Sequence, residues 1–262
     1  MQKQQGFSIV ELMIALALGS LITLAAVQLF STNQRTFQLQ QGLTDVQEQG
    51  RFALDYISRD LRLMGLRDPA VAGPDPGLLL ADTTVGAVVV PASQDGGAVG
   101  AGNDRLTFSF HAEEGDMDCE GDVVPAGPPI LVANPYWVGG PDNDQLFCAG
   151  SIDPATVGLV LVEGVDSFQV QLGIDTTVDG VPAAGHYRRI NEVAATDQIV
   201  SVRIGLLVRA MQGNLPTSLA PPQDLLVLDR VLNAGVAPLE DVTVRRLFTA
   251  TIRARNYVWE SI

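Results

Sequence analysis

Gly6-Phe7-Ser8-Ile9-Val10-Glu11-Leu12-Met13-Ile14 places one glutamate inside an otherwise uncharged apolar run. An ionised carboxylate near a bilayer interior costs roughly 2.5–3.5 kcal/mol on insertion scales, so Glu11 needs a reason to be there. The run continues through Ala15, Leu16, Leu18, Leu21, Ile22, Leu24, Ala26, Val27 and Leu29 to Phe30 without another charge. At about 1.5 Å per residue, that length of helix spans a hydrocarbon core of about 30 Å.

The flanks separate three readings of the segment. A cleaved secretory signal has a shorter apolar core, of about 7–15 residues, with its small-residue site after the core. Here Gly6 lies before the run, so a cut there leaves the whole hydrophobic helix on the mature chain. An uncleaved signal anchor accounts for the length and for Lys3 but gives Glu11 no partner.

The stretch Gly6 to Ala15 resembles the class III leader junction of type IV pilins and type II secretion pseudopilins. The resemblance implies cleavage after Gly6 by an inner-membrane prepilin peptidase and N-methylation of Phe7. It further implies that Glu11 pairs with the terminal amine of a neighbouring subunit. Physically, a buried carboxylate becomes tolerable when an opposite charge satisfies it.

Residues 47–62, Gln-Glu-Gln-Gly-Arg-Phe-Ala-Leu-Asp-Tyr-Ile-Ser-Arg-Asp-Leu-Arg, look like the helix continuation of the PilW family of minor pilins, relatives of the J pseudopilin. Residues 161–170, 200–204 and 246–256 are similar to later blocks of that family. The chain departs from the pilin pattern at Gln28, where many major pilins carry proline, and at Gly65-Leu66-Arg67-Asp68-Pro69, where PilW-like chains often carry a cysteine.

An apolar stripe at Leu39, Leu43, Val46, Leu54, Ile57, Leu61 and Met64 extends the helix to about Arg67, where Asp68-Pro69 ends it. Gly42 and Gly50 each cost about 1 kcal/mol in a helix interior without ending the pattern. Alternation at residues 105–111, 168–174, 199–208 and 246–254 predicts strands, with Gly- and Pro-rich loops at 94–103 and 124–129. The expected fold is therefore α+β and pilin-like: a long N-terminal transmembrane helix on an antiparallel sheet, with a second small sheet. The expected division is leader 1–6, transmembrane and filament-core helix 7–30, amphipathic continuation 31–67, and a β-rich periplasmic head 68–262.

The chain carries 16 basic and 30 acidic side chains, a formal net charge of −14. The helix continuation is nearly neutral, so the acidity belongs to the head. An acidic head repels phosphate backbones and anionic lipid surfaces, which argues against nucleic-acid binding. Lys3 is the sole lysine and leaves with the leader, which excludes Schiff-base and P-loop lysine chemistry from the mature chain. Neither a G-x-S-x-G elbow nor an H-E-x-x-H helix occurs, and His111 and His186 read as ordinary sheet residues, so no enzyme is expected.

In an exported head, the oxidising periplasm favours a Cys119–Cys148 bridge. Two cysteines without a nearby histidine pair do not make a zinc site. The acidic run Glu113 to Asp122 reads either as calcium ligands or as a solvated loop. Asp175-Thr176-Thr177-Val178-Asp179-Gly180 partly matches a calcium loop through Asp175 and Asp179, but His186 stands where the closing glutamate falls, and a turn explains the same residues. No cofactor is expected.

The resemblance implies a minor pilin that helps initiate type IV pilus assembly and joins the filament tip complex. Its partners would be other minor pilins, the major pilin, the inner-membrane assembly platform, the prepilin peptidase and a large tip adhesin. It would cross the inner membrane once, N-terminus cytoplasmic and head periplasmic, before moving to the pilus tip. A J-type pseudopilin of type II secretion shares the leader and helix plan. A calcium- or ligand-binding tip module is the alternative of another class.

Overall fold

Helix α1 runs Ile9–Asp60, 52 residues. The computed structural model describes residues 8–96, 102–153, 158–177, 181, 183–194, 196–211, 223–233, 239 and 243–256. Neither Gly42 nor Gly50 interrupts α1, because each sits where the helix meets the head. The expected end at Arg67 moves back to Asp60: past it, Leu63 N–H bonds to the Asp60 carbonyl and Met64 N–H to that of Leu61, a tighter turn. Gly65 then takes a φ of +77°, which a side chain disfavours and which ends the helical path.

The N-terminal stretch of α1 stands clear of the head. Ile9 is 80% exposed, Leu21 67% and Phe30 64%. The contact begins near Gly42 and follows Gly42, Val46, Gly50, Ala53 and Ile57, all buried. The stripe read from the sequence is thus rotated at its start: Leu43 is 36% exposed, and glycine takes the contact position.

Among the described residues the head holds two four-stranded antiparallel sheets, so the second sheet is no small accessory. After the ribbon β1 (Thr83–Val85) and β2 (Val88–Val90) come β3 (Arg105–Ala112), β4 (Ile130–Gly139), β5 (Gln145–Cys148) and β6 (Leu159–Glu163). These last four form one sheet in sequence order. The other sheet uses β7 (Val165–Asp175), β8 (His186–Arg189), β9 (Gln198–Arg209) and β12 (Arg245–Arg253), in the order β12-β9-β7-β8. A second ribbon, β10 (Leu225–Val227) with β11 (Arg230–Leu232), covers Leu207 of β9.

One core joins the three layers. Val46, Ala53 and Ile57 from α1, with Leu61 just past its end, meet Phe108, Phe110 and Tyr136 of the first sheet and Phe168, Ile204 and Leu206 of the second. Helix α1 lies mainly along β12 and β9, touching β6 at one side.

Candidate assembly helix and its seat in the head

Ser8 caps α1: its hydroxyl accepts from Val10 N–H at 3.4 Å, and the Glu11 carboxylate accepts from Ser8 N–H at 3.3 Å. Glu11 therefore sits in the first turn, beside the free N–H groups where a carboxylate is stabilised. The expected processing residues, Gly6 and Phe7, lie outside the described residues. From Ile9 onward the helix is long and apolar enough to cross a membrane, and the rest of the molecule buries none of that window. A bare apolar surface of this length suits lipid or a bundle of similar helices, not water.

The far end of α1 is held to β4 of the first sheet. Tyr136 donates its hydroxyl to Asp60 Oδ2 at 2.5 Å, and Asn134 Nδ2 donates to the same oxygen at 2.8 Å. Burial pushes the Asp60 carboxyl up, against the pull of those two donors, and burial beside Asp60 raises the Tyr136 phenol well above its ordinary value. One turn earlier, the Tyr56 hydroxyl donates to the Cys119 carbonyl at 2.7 Å. Asn256, just past β12, donates to the Arg62 carbonyl at 2.9 Å.

Cys119 and Cys148 are bonded to each other, with Cα atoms 6.1 Å apart. The bridge ties the acidic loop to the end of β5. Asp118 beside it is buried; its Oδ1 accepts from the N–H groups of Glu120 and Asp122, and its Oδ2 from Ile152 N–H. Glu120 accepts from Gly150 N–H at 2.7 Å. These carboxylates hold the loop to its neighbours, and among the described residues no cluster of three or more His, Cys, Asp or Glu could hold a metal ion.

Asp175 ends β7, where Oδ1 accepts from both the N–H and the hydroxyl of Thr177 and Oδ2 accepts from Ala183 N–H at 3.3 Å. Those donors occupy both oxygens and keep the carboxyl below its usual range. Asp179 lies outside the described residues. His111, next to last in β3, has Nδ1 accepting from Asp68 N–H at 2.8 Å, which fixes the segment after α1.

Comparison with known families places these features. The prokaryotic N-terminal methylation motif matches residues 1–27, and the type IV pilus-assembly protein W family matches residues 136–256. The chain carries a PilW domain behind an N-terminal methylation motif. No curated protein matches it. Among solved structures, a type IV-like pilin from Thermus thermophilus aligns with a TM-score of 0.47 and 14% identity, covering 80% of this chain and 95% of that one. The PilW match includes Tyr136, a donor to Asp60 at the end of α1, and Asn256, a donor to the Arg62 carbonyl just past it. The one description concerns pilus assembly and the other methylation of the N-terminus.

Sequence reasoning missed the lock at Asp60, because its partners lie 74 and 76 positions away. Gly42 and Gly50, eight residues apart on one helix face, were the readable sign of a close approach.

Proposed function

We infer that this chain is a minor pilin that helps initiate type IV pilus assembly and takes a place in the tip complex. One observation carries this: a bare apolar helix behind an N-terminal methylation motif projects from a head that carries a PilW domain. On this reading residues 1–6 are the leader, and cleavage after Gly6 exposes Phe7 for methylation. Residues 7–30 anchor the subunit in the inner membrane, with the head periplasmic, and later enter the filament core. Glu11 there answers the Phe7 amine of a neighbour, since either charge alone in an apolar core is costly.

The partners on this reading are other minor pilins, the major pilin, the assembly platform, the prepilin peptidase and a tip adhesin. The Cys119–Cys148 bridge forms in the periplasm and stabilises the loop it closes. The test is mass spectrometry of membrane-inserted protein, with and without the peptidase, joined to complementation of a deletion strain. A methylated Phe7 terminus and restored piliation are expected. A dominant species that retains Met1 beside active peptidase overturns the reading.

A further inference from the structure

Strand β6 forms the outer edge of the first sheet: β5 pairs with one side, and among the described residues no strand pairs with the other. A row of unpaired N–H and C=O groups is a template for another strand unless charges, proline or cover blunt it. Cover is thin here. Leu159 is 45% exposed and Val160 37%, and the only charged residue of β6 is Glu163. Between β6 and α1 runs an open groove of about 560 Å³, with Asp45, Glu48 and the half-exposed Phe52 on its helix wall.

This edge offers apolar contact. On one face Val160 extends a cross-strand row through Phe147 to Trp137, whose rings stack at 5.4 Å. Phe52 of α1 lines the same groove as Val160. An added strand points alternate side chains to opposite faces, so one set would lie beside Val160. The charges decide which strand fits. Asp45 and Glu48 make no ion pair among the described residues, and Glu163 closes the acidic rim. A second copy of this chain would set like charge against like charge there.

We propose that β6 accepts, by strand addition, an extended segment from a different subunit, in which apolar residues alternate with lysine or arginine. The proposal rests on the reading of the chain as an assembly subunit and names the chemistry of one neighbour. The probe is a capped peptide of about ten residues alternating valine and lysine, titrated onto the detergent-solubilised full chain. Its backbone N-methylated form keeps the charge and loses the strand donors.

Expected are saturable binding, a loss of at least about tenfold on N-methylation, and slower hydrogen exchange at residues 159–163 when the peptide is bound. The double variant Asp45→Asn, Glu48→Gln, folded by circular dichroism, should weaken binding by about fivefold or more at low salt. Equal affinity for the N-methylated peptide overturns the proposal, as does protection confined to other strands. So does concentration-dependent protection of 159–163 without peptide, which makes a second copy the occupant. Leader retention would defeat the pilin reading and leave these binding results untouched, so the two failures are distinguishable.

Discussion

The carboxyl of Asp104 lies buried beside β3, accepting from Gly96 N–H at 2.8 Å and from Val170 N–H at 2.7 Å. Burial pushes it up to about 6, more than those two donors pull it down. Folding therefore favours the protonated form: the stability Asp104 contributes is complete below about 3.9, its unfolded value, and is lost as pH rises through about 6. Asp104→Asn should flatten the decline in the urea midpoint between pH 4 and pH 7, by an amount on the order of 1–3 kcal/mol. It should also lower stability at pH 4, because an amide cannot accept from both backbone donors. An unchanged slope in the variant would assign the decline to other groups. None of this was legible in the sequence, where Asp104 stands in a loop and its donor Val170 is 66 positions away.

At the scale of elements, the contact between α1 and β12 turns on Gly50. A Cβ there would stand 2.1 Å from the Phe248 ring, so the glycine makes room for an aromatic side chain to lie on the helix. Gly50→Ala should lower stability by about 1–2 kcal/mol, the lost packing outweighing the helix-propensity gain of about 1 kcal/mol. In a Phe248→Ala background the same change should become stabilising by up to about 1 kcal/mol. Thermal or urea melts of the four proteins close the cycle, and a loss that persists without the ring would place the clash elsewhere. Strands with clean alternation, β3, β7, β9 and β12, were readable from the sequence. Strand β4 was not, because Pro135 argues against a strand. It is tolerated because β5 reaches only to Tyr136, leaving Pro135 paired with Thr107 alone and its carbonyl accepting from Ala149 N–H.

Across the whole molecule, the two sheets are joined by a charge cluster that no local pattern announces. The Asp166 side chain, fully buried, takes Arg209 on one oxygen and Arg245 on the other, each at 2.6 Å, and Arg209 also reaches Asp144 at 2.5 Å. Asp144 precedes β5 of the first sheet, whereas the other three residues belong to the second. Asp166→Asn leaves two guanidinium groups facing a neutral amide and should destabilise the head by about 3–5 kcal/mol. A double change of Asp166 and Arg245 to apolar residues should recover part of that loss; full additivity in urea melts would show that the pair does not act together.

The course of β12 beside α1 also bears on how the head withstands a pull. Phe248 lies on Gly50, and eight residues further along the chain, just past β12, Asn256 grips the carbonyl of Arg62, so strand and helix advance in the same direction. Tension applied along the exposed half of α1 would enter the head as shear, spread over the contacts from Gly50 to Met64 at once. Peeling, which opens contacts one after another, would need a load across the helix instead. A subunit drawn by its helix would thus meet the drag on its head along its mechanically stronger axis.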